Sequence, residues 1–381
     1  MVVAATLFLS CATPRVAESN RPVGLARGQW GPLFVRFPDA TVGAVRSWSN
    51  GREELRWRST WRVKDLVADT NRLCVLTVDD DAFCVTDEDP RPGELLHEPG
   101  ARDVGLNPNH ELCVVTSAGR VRCVNQRAEA PYAKFPELTR LIDFTACGID
   151  HDARLLCRGD QHTGAYWDDV VTTLLTDVRD AQLVPNGPAV TGCALLRTGK
   201  VWCFGSNQFG EQGTGQRSGT EPLHEVHGLP PIRRLAHTTG VTCAIDEHGG
   251  AWCFGAWFGP DYARRAKERP VCERRTSQVL VPACPATGPG EDNPCLRMGG
   301  RTTPQLVEET HVVRDAAGQC ADGQAEAYVP TPTRLTIVSN ARDVLVRHEG
   351  VVFLIDDGEL VSTFYEKVSR ARLTAPLLQA R

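Results

Sequence analysis

Residues 191–215 read TGCALLRTGKVWCFGSNQFGEQGTG, and the spacing inside this stretch decides the fold. Cys193 and Cys203 stand ten positions apart, with Gly199 at the sixth position after the first cysteine. Pairing Leu196 with Lys200 across the loop Arg197-Thr198-Gly199 brings Leu195 opposite Val201, Ala194 opposite Trp202, and Cys193 opposite Cys203. Three-residue hairpin loops favour a glycine in the left-handed region at their last position, where Gly199 sits. Opposed residues of a hairpin have Cβ atoms about 4.5 to 5.5 Å apart, within reach of a disulfide after modest adjustment.

The same template fits elsewhere in the chain. Cys74 and Cys84, Cys113 and Cys123, Cys147 and Cys157, and Cys243 and Cys253 repeat the ten-step spacing. Gly119 and Gly249 fall in register with Gly199, whereas Asp80 and Ala153 take the glycine position in the other two copies. A sixth copy runs from Val352 to Ser362 and keeps Gly358, but Val352 and Ser362 replace the cysteines. Successive copies begin at Cys74, Cys113, Cys147, Cys193, Cys243 and Val352, and the last interval is so much longer than the others that it holds an insertion. Matching Glu221-Pro222-Leu223 to Thr331-Pro332-Thr333 places it at about 260–330, in a loop between repeat units.

Short strands repeating at roughly 35 to 50 residues predict an all-β propeller, whose small sheets bury their faces only against their neighbours. Two of the copies carry a more specific pattern, Cys193-Ala-Leu…Gly199-Lys-Val-Trp-Cys-Phe-Gly205…Asn207…Gly210-Glu-Gln-Gly213 and Cys243-Ala-Ile…Gly249-Gly-Ala-Trp-Cys-Phe-Gly255. This pattern resembles the repeat of the regulator of chromosome condensation family, a seven-bladed propeller, in the paired-cysteine form found in exported bacterial proteins. The resemblance covers residues 60–365 apart from the insertion. Six units are visible, so the ring has six blades, or a seventh drawn from residues 31–60 and completed by the C-terminus. The propeller as a whole is assigned to residues 31–381.

Cysteine usage predicts an oxidising compartment. Of 15 cysteines, ten form the five hairpin pairs, four (Cys272, Cys284, Cys295, Cys320) lie in the insertion, and Cys11 is left over. Matched pairs are reduced in the cytosol, so their regularity points to export. The competing explanation is that cysteine packs at a fixed strand position as a small apolar residue. Two disulfides of open connectivity are expected in the insertion; zinc is the alternative, although no Cys-x-x-Cys occurs there and His311 is its single histidine. Residues 1–11, MVVAATLFLSC, read as a short signal segment ending at a lipid-bearing Cys11, with Phe8 where such sites usually carry Leu, and residues 12–30 as a tether.

With 41% apolar residues, 34 glycines and 25 prolines, the chain has the core and turn material that many short strands need. A formal charge of −5 is poor for nucleic acid, which needs a basic face. Guanine-nucleotide exchange, a role known in the resembled family, fits poorly because the compartment is wrong. No P-loop, His-Glu-x-x-His or Gly-x-Ser-x-Gly motif is present, and His151, His237, His248 and His348 are read as surface or turn residues. Asp79, Asp80, Asp81, Asp356 and Asp357 are read as turn formers.

The expected function is therefore recognition without catalysis or cofactor: an exported, monomeric, lipid-anchored scaffold at the cell envelope, binding a protein or a surface glycan. Rim loops are expected to present Asn207, Gln208, Phe209 and Glu211, followed by Trp257, Phe258 and Tyr262, with Phe209 and the latter three as contact surface. The resemblance implies that Asn207, Gly210 and Gly213 shape the turn between blades. Trp202 and Trp252 are expected between blades. An exported hydrolase or lyase with a site in the central channel is the alternative.

Overall fold

The computed structural model describes residues 21–26, 32–47, 53–69, 72–125, 132–158, 170–186, 189–256, 329–347, 350–364, 367–373 and 378–379, together with the backbone of 273–281 and 305–313. Seven antiparallel sheets follow one another along the chain as seven blades. Blade one comprises Gly24–Leu25, Leu33–Arg36, Val42–Ser47 and Glu53–Arg58, with Leu378–Gln379 added in parallel at its edge. Blade two comprises Val63–Ala68, Arg72–Thr77, Asp81–Thr86 and Leu96–His97; blade three, Asp103–Leu106, Leu112–Val115 and Val121–Cys123. Blade four comprises Leu138–Ile142, Cys147–Asp150, Leu155–Arg158 and Val171–Leu175; blade five, Val178–Asn186, Ala189–Leu196, Val201–Asn207 and Ser218–Glu225. Blade six comprises Ile232–Thr238, Val241–Asp246, Ala251–Gly255 and Val329–Arg334; blade seven, Ala341–Arg347, Gly350–Ile355, Leu360–Phe364 and Lys367–Ala371. Among the described residues no helix is long and apolar enough to cross a membrane.

The ring therefore has seven blades. Its first blade includes Gly24–Leu25, inside the stretch read as a tether. That blade carries a seventh copy of the hairpin template: Phe34 pairs with Ala44, ten residues on, where other blades place cysteines, and Ala40 occupies the glycine position. A large side chain facing a small one fills the space of two sulfurs.

All five cysteine pairs are disulfides, each between directly opposed residues of the second and third strands, with Cα atoms 4.0 to 4.1 Å apart. In blade seven Val352 and Ser362 occupy the same opposed positions. Blades one and seven are the two without a disulfide among the described residues.

One turn geometry closes all seven hairpins. The residue at the glycine position has positive φ in each: Ala40, Asp80, Gly119, Ala153, Gly199, Gly249 and Gly358. The aspartate and the two alanines thus adopt the turn that glycine adopts elsewhere. The turn is held because it also joins blades. The carbonyls of Ala40, Gly119, Ala153, Gly199 and Gly249 accept the N–H of Val63, Leu138, Val178, Ile232 and Ala341, each at the start of the next blade's first strand.

Close approach explains why glycine is favoured there. A Cβ on Gly119 would lie 2.7 Å from the Glu137 side chain and 2.8 Å from its backbone. Gly119→Ala is expected to cost about 2 kcal/mol, combining a left-handed conformation with overpacking. Ala153→Gly, at a site that already accommodates a methyl, is expected to stay within about 1 kcal/mol of wild type. Denaturant midpoints measure both; equal responses would contradict the account.

The apolar core lies between blades. Phe34 and Trp57 of blade one meet Trp61 and Phe83 in a run of tilted and edge-on rings with centroids 5.1 to 6.5 Å apart. Buried tryptophan needs a polar outlet, and Trp57 Nε1 donates to the Asp87 carbonyl at 2.9 Å.

The insertion is a compact unit of its own, Arg264–Ala327. It contains an antiparallel pair, Glu273–Val281 with Gln305–Val313, in continuous register from Glu273↔Val313 to Val281↔Gln305. It joins the third and fourth strands of blade six, Ala251–Gly255 and Val329–Arg334, so it interrupts a blade and does not sit between two blades.

Candidate functional site

The seven first strands line a central channel with a cavity of about 580 Å³. Each of these strands in blades two, four, five, six and seven opens with a bulge, between Val63 and Asp65, Leu138 and Arg140, Val178 and Asp180, Ile232 and Arg234, and Ala341 and Asp343. A bulge puts two consecutive side chains against one partner residue and re-aims both. Going round the ring, the second residue of this step, or its counterpart in blade three, is Asp65, Asp103, Arg140, Asp180, Arg234 and Asp343, and all six line the channel.

These charges bond to neighbouring blades. Asp103 accepts the N–H of Leu141 at 2.8 Å, from blade four, and Asp343 accepts the N–H of Leu25 at 2.9 Å, which closes the ring onto blade one. Arg140 pairs with Asp180 at 2.8 Å, and Arg234 lies 4.0 Å from Asp343. Burial raises the pKa of Asp343, against the pull of the Leu25 N–H and Arg234. The preceding residue of the step works the same way, Arg179 donating to the Arg233 carbonyl and Arg233 to that of Ala341. Sequence reasoning missed this girdle, although its signal is present as Lys64-Asp65, Arg102-Asp103, Arg179-Asp180 and Arg342-Asp343 at the head of four first strands.

His237 also lines the channel, and it is 2% exposed where the sequence pattern predicts a surface or turn position. Burial pushes its imidazole down to about 3, so the ring is neutral. Thr242 Oγ1 donates to the Glu211 carbonyl at 2.7 Å and lies 2.7 Å from His237 Nδ1. Nδ1 therefore carries the proton, and Nε2, which has no partner among the described residues, holds the lone pair.

The rim loop of blade five is less exposed than expected. Asn207, Glu211 and Gln212 are fully buried, because the loop folds into the gap between blades five and six. Asn207 Nδ2 bonds Thr214 Oγ1 and the Gln216 carbonyl, its Oδ1 accepts the Gln212 N–H, and Gln212 Nε2 bonds Thr191 Oγ1 and the Ser206 carbonyl. Burial raises the Glu211 pKa. Phe209 is half-buried, next to the position a Cβ on Gly240 would take, and Gln208 is exposed. Trp202 and Trp252 are half-buried, and Trp252 Nε1 bonds Asp246, which also accepts the N–H groups of His248 and Gly250. Although burial opposes its ionisation, these bonds hold Asp246 below the usual carboxylate range.

Asp80 bonds Lys64 and the Gly100 N–H, Asp81 pairs with His97, and Asp356 and Asp357 pair with Arg342 and Arg372, as turn residues anchoring their surroundings. Cys11, Trp257, Phe258, Tyr262, Cys272, Cys284, Cys295, Cys320 and His348 lie outside the described residues.

Comparison with curated proteins finds no match. Among solved structures, Prp20p from Saccharomyces cerevisiae, studied for its binding to Gsp1p and histones, is similar at 14% identity and a TM-score of 0.46 over 91% of this chain and 76% of that one. Human WBSCR16 is similar at 13% identity and a TM-score of 0.34, over 93% and 68%. The computationally designed Ika8 protein is similar at 11% and 0.39, over 91% and 96%. Within the sequence, residues 191–211 match the regulator of chromosome condensation (RCC1) repeat, and this stretch of blade five is the part of the chain similar to that family's model.

Proposed function

We propose that the protein is a non-enzymatic binding scaffold, exported and lipid-anchored through Cys11, which captures a protein or surface glycan at the cell envelope. The observation that carries this reading is the compact unit Arg264–Ala327 spliced into blade six of a ring whose own channel charges are bonded from blade to blade. Inserted loops on a rigid frame are where propellers and other scaffolds carry recognition. Five disulfides support an oxidising compartment. Trp257, Phe258 and Tyr262, which lead into the unit, and Phe209 are the proposed anchors.

The hydrolase alternative requires channel carboxylates free to move protons, whereas Asp103 and Asp343 accept main-chain N–H groups from the next blade. Capture from native envelope with the full chain is expected to retain a partner, and replacement of residues 260–330 by a short linker is expected to lose it. Equal capture by both would remove the inserted unit from the model. Turnover that depends on Asp103 or Asp343 would favour the enzyme instead.

A further inference from the structure

Among the described residues, the gap that blade five fills with its rim loop is open between blades two and three. At the junction of blades five and six, Glu211 and Gln212 are fully buried and the Glu211 carbonyl takes the Thr242 hydroxyl. The corresponding connection of blade two, Thr86 to Leu95, has Pro90 and Pro92 in place of that motif and turns back on its own blade, Gly93 N–H bonding the Cys84 carbonyl at 3.0 Å. A cleft of about 630 Å³ is left, within the range of small-ligand sites.

Its walls are organised around His110. This non-glycine residue has φ of 62°, a conformation that costs free energy and persists only where surroundings enforce it. Asp69, almost fully buried, places its two oxygens 3.1 and 3.2 Å from His110 Nδ1. Arg72 bonds the same carboxylate and donates to the His110 carbonyl, and Phe144 packs against the ring at 5.1 Å between centroids. The imidazole is thus oriented through Nδ1, while it remains half-exposed and Nε2 has no partner among the described residues.

We propose that this cleft binds a neutral or amine-bearing saccharide, a site that rests on the reading of the protein as a surface-binding scaffold. Val124, backed by the buried Val85 and Leu112, gives the cleft an apolar side against which the C–H face of a sugar ring can pack. Polar groups of both kinds line it, with acceptors on Glu94 and His110 and donors on Arg72, as hydroxyl groups require. Asn125 Nδ2 and Asn107 Nδ2 hold the two Glu111 oxygens at 3.1 and 3.0 Å and fix that carboxylate in the wall. The Arg72 charge is matched by Asp69, so Glu94 and Glu111 leave the cleft net negative and unfavourable to phosphate or uronate groups. Among the described residues no three carboxylate, imidazole or thiol groups converge as metal ligands.

The test uses the purified full chain on immobilised glucose, glucosamine, N-acetylglucosamine, their dimers, and acidic and phosphorylated sugars, followed by calorimetric titration. Neutral or amino sugars are expected to be retained. Glu94→Ala, at an exposed residue, and His110→Asn, which keeps a side chain tolerant of positive φ, are each expected to weaken binding at least tenfold with the melting temperature of Glu94→Ala unchanged. Retention of no saccharide at millimolar concentration, preference for acidic sugars, or affinities unchanged in both variants would overturn the proposal. So would an Arg/Lys-rich peptide binding in a Glu94-dependent way while sugars do not. Because this is read on purified protein with the inserted unit intact, its result is independent of whether envelope capture depends on residues 260–330.

Discussion

Gly255→Ala is expected to destabilise the ring by about 3 to 5 kcal/mol, a fall in melting temperature of about 6 to 12 °C or more. Gly255 has φ of 103°, a conformation that L side chains rarely adopt. The site also has no room: a Cβ there would lie 2.2 Å from the Gly240 carbonyl oxygen and 3.2 Å from the Glu211 backbone. That carbonyl cannot retreat cheaply, since it accepts the Ala256 N–H at 2.7 Å. Gly205 repeats the arrangement in blade five, with φ of 97° and Thr191 backbone and side-chain atoms 2.7 Å from its would-be Cβ. Gly219, with nothing within 4 Å of an added Cβ, is the control. Gly219→Ala is expected to stay within about 0.5 kcal/mol of wild type, as surface substitutions usually do. If the two variants melt alike, the bulge glycine of the Trp-Cys-Phe-Gly motif is not required by packing.

Reduction is the second large effect. Each disulfide closes a short ring, with partners ten residues apart, which loop-entropy reasoning values at about 2 to 3 kcal/mol. Five of them together match or exceed the net stability of an ordinary domain, about 5 to 15 kcal/mol. Reductant is therefore expected to abolish the cooperative melting transition and leave the chain unfolded at about 37 °C, where the oxidised protein stays folded. Non-reducing mass spectrometry of native material should show Cys74 joined to Cys84 and so on through the series. Free thiols at these ten positions, or a melt indifferent to reductant, would refute the stapling and weaken the argument for export.

Much of the fold was legible because its repeat is written in chemistry that permits few alternatives. Ten-step cysteines with a glycine at the sixth position specify opposed strands and a left-handed turn, and five pairings and the Val352↔Ser362 match follow. Blade one, drawn from residues 31–60 and completed by the C-terminal strand, was legible only as one of two alternatives, because Phe34, Ala44 and Ala40 meet the same steric demands with none of the marker residues. The extent of the insertion was legible to within a few residues, but the strands it joins were not, because proline landmarks give the register of one strand and not its partner in the sheet. Glu211 looked exposed because a polar, glycine-rich loop normally is, whereas the resemblance marks Asn207 as a residue that shapes the turn. Here their side chains satisfy backbone groups that the blade junction buries. The channel girdle and the His110 cleft involve residues from separate blades, a proximity that only the closed ring creates.

Blades one and seven, the two without a covalent staple among the described residues, are adjacent across the place where the circle of blades meets itself, where Leu25 bonds Asp343. Blades two to six each hold their central strands together by a bond that heat does not break. Under thermal stress the two unstapled blades at this seam should therefore loosen first, like the clasp of a bracelet, while each of the five stapled blades keeps its central hairpin.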